Sequence, residues 1–211
     1  MKLKKQLRLA LLIPSYCVIL GIPAAIFSMS YQVDASPVKL ARLSESEKAE
    51  RAELIQKANS LFNDRNFPGA EQTLRELVKK FPKDAFAHYQ LGNVLYQQQK
   101  AEDAAISFSE AIRLNPRYAL AYNAMGLVRA SQEQWDDALA EFRKALEINP
   151  EYGDALMYMG QVLLQTNKKE EAIASLDKAL NIFKAEKRSE RVNRVQEILQ
   201  KIKKSDDPSL S

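Results

Sequence analysis

HYQLGNVLYQQQKAEDAAISFSEAIRLNP fills residues 88–116, and YNAMGLVRASQEQWDDALAEFRKALEINP fills residues 122–150. The two stretches align without a gap, His88 over Tyr122 and Pro116 over Pro150. At this constant period Leu91-Gly92 becomes Met125-Gly126 and then Met159-Gly160. Ala70, Ala104, Ala138 and Ala172 form a second column, and Leu74, Phe108, Phe142 and Leu176 a third. Phe81-Pro82, Asn115-Pro116 and Asn149-Pro150 form a fourth. No insertion or deletion disturbs the period from residue 51 to residue 184. Such a period marks an array whose units cannot bury their apolar faces alone and therefore stack on one another.

Within a unit the apolar residues fall at helical spacing. Tyr122, Met125 and Val128 define one helix, and Ala138, Phe142 and Ala145 define a second. Gly126 stands where a side chain would hold the second helix away, and Ala138 does the same from the other side. Pro150 then stops the second helix, because proline disfavours a helical residue before it. Pro68 falls near a helix start, where a missing donor costs little. The first unit has Lys57-Ala58 in place of the Leu-Gly pair, and Ala58 is still small. The fourth has Lys184 where proline would stand, so its last helix is free to run on. The chain is therefore expected to be all-α, with four helical hairpins over 51–84, 85–118, 119–152 and 153–184.

The ends of the array need covers. Ser44 and Glu47 make a capping box for the first helix, within a linker and helix start over 32–50. Val192, Val195, Leu199 and Ile202, with Ile198 beside them, form an apolar stripe opposite Arg188, Arg191, Arg194 and Lys201. This predicts a capping helix over 185–204, followed by a tail over 205–211. The alternative for this basic amphipathic helix is contact with a membrane surface.

The other end reads differently. Leu9 to Tyr31 holds no charged residue, and as one helix its 23 residues would span about 34 Å, enough to cross a bilayer. Lys2, Lys4, Lys5 and Arg8 precede it, which predicts a cytoplasmic amino terminus with the repeats outside. Residues 1–31 are therefore read as a basic stub and a single-pass anchor, in a bacterial inner or thylakoid membrane, with the repeats facing periplasm or lumen. The alternative is a cleaved secretory signal and an exported soluble protein, since Gly21 and Pro23 break the run and Ser28 and Ser30 offer small residues for cleavage.

Composition narrows the function classes. Hydrophobic residues at 46% and charged residues at 27% give a globular balance. The chain has 31 Lys and Arg against 27 Asp and Glu, and four of the basic residues lie within the first eight positions, so the remainder is formally neutral. A neutral body gives no footprint for a phosphate backbone, which argues against nucleic acid. One cysteine, Cys17, and one histidine, His88, form neither a disulfide framework nor a zinc site. The acidic pairs Glu102-Asp103, Asp136-Asp137 and Glu170-Glu171 recur with the period and complement positive helix ends. With no phosphate-binding glycine loop, nucleophile elbow or metal motif, the expectation is no enzyme, no cofactor, no metal and no small-molecule substrate.

These columns resemble the tetratricopeptide repeat family, whose pattern runs W-x2-L-G-x2-Y, A-x3-F and P over a repeat of about 34 residues. The resemblance covers residues 51–184 and implies a right-handed superhelical solenoid with a concave groove that binds other proteins through an extended peptide or helix. It also implies which positions line that groove. They include Asn59 and Phe62 in the first repeat; Phe86, Tyr89, Asn93 and Tyr96 in the second; Asn123 and Leu127 in the third; and Met157 and Gln161 in the fourth. Some family members hold a terminal carboxylate with Lys, Asn and Arg in the groove. Ile55 and Tyr89 stand where that lysine would be, and Ala124 or Tyr158 where Asn or Arg would be, so no carboxylate clamp is expected. Asn59 and Asn93, one repeat apart, offer amides that bond a peptide backbone at both N–H and C=O. The chain also resembles, loosely, bacterial anchored repeat proteins, including photosynthetic-membrane assembly factors. The function implied is a tethered scaffold that assists assembly or stability of a complex outside the cytoplasm. The alternative is a secreted structural protein that self-associates through its repeats.

Overall fold

A computed structural model describes residues 43–206; the hydrophobic segment over 9–31 and the tail from 207 lie outside the described residues. The described residues form nine α-helices. Four hairpins follow in chain order: α1 (Glu45–Asn63) with α2 (Phe67–Lys80), α3 (Ala85–Gln97) with α4 (Ala101–Leu114), α5 (Ala119–Ser131) with α6 (Trp135–Ile148), and α7 (Gly153–Gln165) with α8 (Lys169–Ala185). A ninth helix, α9 (Ser189–Asp206), closes the array. The second helix of each hairpin packs on the first helix of the next, and α3, α5 and α7 also touch in succession. The first helices thus form the inner layer of a right-handed superhelical solenoid.

The glycine column sets the spacing within each hairpin. A Cβ on Gly92 would lie 2.5 Å from the Phe108 ring, and one on Gly126 would lie 2.6 Å from Phe142. On Gly160 it would meet Leu176 Cγ at 2.8 Å. Phe108 and Phe142 are fully enclosed, so neither ring has space to retreat. Ala70, Ala104, Ala138 and Ala172 have no exposed surface and serve the same close approach from the second helices. Each large side chain enclosed this way contributes about 1.5–3 kcal/mol of hydrophobic stabilisation before entropy.

Both helix-ending devices repeat. Arg65, Gln99, Glu133 and Asn167, again one period apart, adopt positive φ of 57–62° in the turn between paired helices. The bonds Lys100 N–H to Leu95 O (3.0 Å) and Gln99 N–H to Tyr96 O (2.9 Å) close α3 in a Schellman motif, and the other three turns match it. The second helices end differently. Asn115 and Asn149 cap α4 and α6, and their Oδ1 atoms accept from the N–H of Arg117 and Glu151, each at 3.1 Å. With Lys184 instead of proline, α8 runs to Ala185, 17 residues against the 14 of α2, α4 and α6.

The ends are covered as the stripes imply. Ser44 and Glu47 form the reciprocal capping box on α1. On α9, Val195 and Ile202 are buried, and Val192, Ile198 and Leu199 pack beside them against Leu176, Ala179 and Phe183 of α8. Arg194 stands one period after Gly160, where a further hairpin would need a small residue, and it is exposed.

Gly92→Ala tests the spacing. An alanine in a helix interior normally gains about 1 kcal/mol over glycine, whereas forcing a methyl into a full core costs about 1–3 kcal/mol. Gly92→Ala therefore lowers stability in urea unfolding, and adding Phe108→Leu, which recreates the Ala58–Leu74 pair of the first repeat, recovers about half of the loss or more. A Gly92→Ala protein as stable as the parent contradicts the contact.

Candidate functional site

The inner layer holds a cavity of ≈ 440 Å³. Its wall is built from Asn59 and Phe62 on α1, Asn93 and Tyr96 on α3, Leu127 on α5 and Tyr158 on α7, with Leu74 of α2 behind. The helices supply these residues because positions three and four apart share a face. Three amides run along this face: Gln90 Nε2 donates to Asn59 Oδ1 at 3.0 Å, and Asn93 Nδ2 donates to Gln90 Oε1 at 3.4 Å. The chain leaves the Asn59 amide N–H at one end and the Asn93 carbonyl oxygen at the other without protein partners among the described residues. The cavity wall carries no Asp, Glu, Lys, Arg or His.

The structure thus gathers five of the ten groove positions, Asn59, Phe62, Asn93, Tyr96 and Leu127, around one cavity. The other five sit elsewhere. Phe86 is half-buried with the Arg51 guanidinium 6.0 Å from its ring centre. Tyr89 stacks obliquely on Tyr118 at 5.2 Å and on Phe108 at 6.0 Å. Gln161 is half-buried on α7. Asn123 is 7% exposed, and its buried Oδ1 has no hydrogen-bond partner. Met157 is fully enclosed among Leu176, Ala179 and Phe183 and belongs to the core under α9 rather than to the groove. The extended α8 and the capping helix bury the end of the stack more deeply than the repeat pattern implies.

Gln90, Gln97 and Tyr158 also line this cavity and are absent from the ten positions. Gln90 bridges the two asparagines, and Tyr158 closes the cavity from α7. Gln90 lies three residues before Asn93, the spacing that places side chains together on a helix. Tyr158 holds the position of Gln90 two repeats later.

Asp154 is the one acid of the inner face in the fourth repeat, and it is neutralised. Arg188 reaches its carboxylate at 2.9 Å and Arg191 at 3.0 Å, while the Arg188 guanidinium also lies 4.8 Å over the Phe183 ring. A second cleft of ≈ 660 Å³ lies on the other side of α3 and α4, lined by Val78, His88, Ile106 and Arg113. Its ring and charged groups include engaged ones: the His88 ring bonds the Pro82 carbonyl oxygen at 3.1 Å, and Arg113 pairs with Glu110. No groove position lines it.

Residues 55–119 and 129–196 each match a family model described as tetratricopeptide repeat. Among curated proteins none matches the chain. Solved structures share the fold. The crystal structure of MamA is 24% identical, over 68% of this chain and 84% of that one, with a TM-score of 0.60. The first TPR of Spaghetti (RPAP3) bound to an HSP90 peptide, SRMEEVD, is 18% identical over 56% and 94%, with a TM-score of 0.54. YrrB, described as a TPR protein with an unusual peptide-binding site, is 22% identical over 64% and 70%, with a TM-score of 0.55.

Asn93→Ala removes the free end of the amide chain and leaves the core untouched. It weakens capture of a partner by about 1–3 kcal/mol, read by titration calorimetry, with little change in thermal unfolding. Parallel losses of binding and of stability make Asn93 a structural residue.

Proposed function

Because the chain belongs to the tetratricopeptide repeat family, we propose that it is a non-catalytic scaffold that captures a segment of another protein in its inner groove. The observation that carries this is the cavity between α1, α3, α5 and α7, whose wall offers aromatic rings and amides with open hydrogen-bonding positions. Aromatic anchors with a few placed polar groups are the composition of a binding hot spot. Peptide binding by YrrB and Spaghetti supports the reading by analogy of fold.

The finer role rests on the amino-terminal sequence. The uncharged run from Leu9 to Tyr31 behind a basic stub supports tethering to a membrane, with the repeats on the far side from the cytoplasm. Among the described residues no helix is long and apolar enough to cross a membrane; the tether is proposed on the sequence of residues 9–31. A groove held at a membrane surface brings its partner to that surface, where the scaffold assists assembly or stability of a complex, the photosynthetic membrane being one such setting.

Affinity capture from the native membrane with the full chain, beside a Tyr89→Ala/Asn93→Ala double variant, tests the groove. The parent retains a partner that the double variant loses, while both give the same helical circular dichroism. A partner retained equally by both contradicts the groove reading.

A further inference from the structure

We propose that the groove takes an uncharged, proline-rich segment in polyproline II conformation. This rests on the groove reading above and names the chemistry of the occupant.

Four phenols stand along the inner layer, two of them in ring contact. Tyr89 stands on α3, Tyr118 and Tyr152 cap the starts of α5 and α7, and Tyr158 stands on α7. The Tyr89 and Tyr118 rings lie 5.2 Å apart at 52°. Burial holds the Tyr152 hydroxyl well above its usual pKa, and the neighbours that add to this are Tyr89, Asp154 and Tyr158. Tyr118 is pushed up to about 12 by burial first and then by Tyr89 and Asp84. Both stay neutral phenols at any physiological pH. Tyr158 lines the cavity with Tyr96 and lies against the Phe142 ring at 6.3 Å.

Each of the four side chains is half-buried, and none of their hydroxyls bonds a protein atom among the described residues. The rings are fixed and the polar tips are free. Such a surface supplies rigid apolar area together with hydrogen-bond donors, at small cost in side-chain entropy.

The occupant must suit that supply. A helix satisfies its own backbone and would leave the phenols and amides unmatched. A β-strand needs an open strand edge, and the inner layer is helical throughout. A polyproline II segment has bare carbonyls with no internal hydrogen bonds, and these accept from phenol and amide donors. Its proline rings are compact and apolar and carry no N–H, so packing them on tyrosine strands no buried donor. Aromatic-lined grooves recognise proline-rich segments on this principle. An uncharged occupant fits, because the cavity wall has no ionised group, Asp84 beside Tyr118 is paired with Arg51, and Asp154 is taken by Arg188 and Arg191.

Titration calorimetry of the full chain with a capped, alternating Pro-Ala peptide of about ten residues, roughly 31 Å long, tests the proposal. The peptide binds, and a capped Gly-Ala peptide of equal length binds about tenfold more weakly or not at all. Raising salt from about 0.05 to 0.5 M leaves the affinity unchanged, as no ion pair is involved. The Tyr89→Phe/Tyr158→Phe variant keeps the rings and hence the packing, and its affinity falls about tenfold. Equal binding of the two peptides, or full affinity in the Phe variant, overturns the proposal. In either case loss of the native partner by Tyr89→Ala/Asn93→Ala would leave the groove reading standing.

Discussion

Everything in this fold follows from how closely two helices approach where one of them has no side chain. The Phe108 ring lies where a Cβ of Gly92 would be, and the contact recurs at Gly126 with Phe142 and at Gly160 with Leu176. A pair held that tightly presents a uniform thickness, so successive pairs stack at a constant step. The first repeat reaches the same packing with the opposite choice, Ala58 facing the smaller Leu74. Between the first repeat and the next two, the residue types exchange volume across the contact and nearly conserve it.

The stack would continue if nothing stopped it, and both ends show how it is stopped. At the start, the outer side of α1 carries exposed polar residues such as Glu53, Gln56, Lys57 and Ser60. At the other end, α9 occupies the place of a fifth first helix, but Arg194 stands in the glycine column and is exposed to solvent. Arg188 and Arg191 fasten that turn to Asp154, and Phe183 fills the space over Gly153, where a Cβ would lie 2.6 Å from its ring. With both ends of the stack polar, the aromatic and amide-lined cavity of the inner layer is where binding is proposed.

The sequence carried most of this in its columns. Helix pairing, the capping box at Ser44, the overrun of α8 past Lys184 and the stripe on α9 were all readable, because each depends on residues near one another in the chain. The turn conformation was not. Arg65, Gln99, Glu133 and Asn167 share positive φ without sharing a residue type, since the Schellman bonds and the packing on either side impose it. The groove was half legible. Positions facing inward follow from helical spacing, but depth depends on what the next repeat brings. Met157 is buried in the core under α9, whereas its counterpart two repeats earlier, Tyr89, is half-buried. Gln90 escaped notice because its role depends on an asparagine in the preceding repeat, Asn59, which no local pattern on α3 reveals.

The glycine-side helices form the inner layer and the phenylalanine-side helices the outer one, and recognition is proposed on the inner. Amide hydrogen exchange on the full chain, alone and with its captured partner, measures this directly. The account predicts slowed exchange on binding in α1, α3, α5 and α7, with α2, α4 and α6 little changed. Protection concentrated on α2, α4 and α6 would place the binding surface on the outer layer and contradict it.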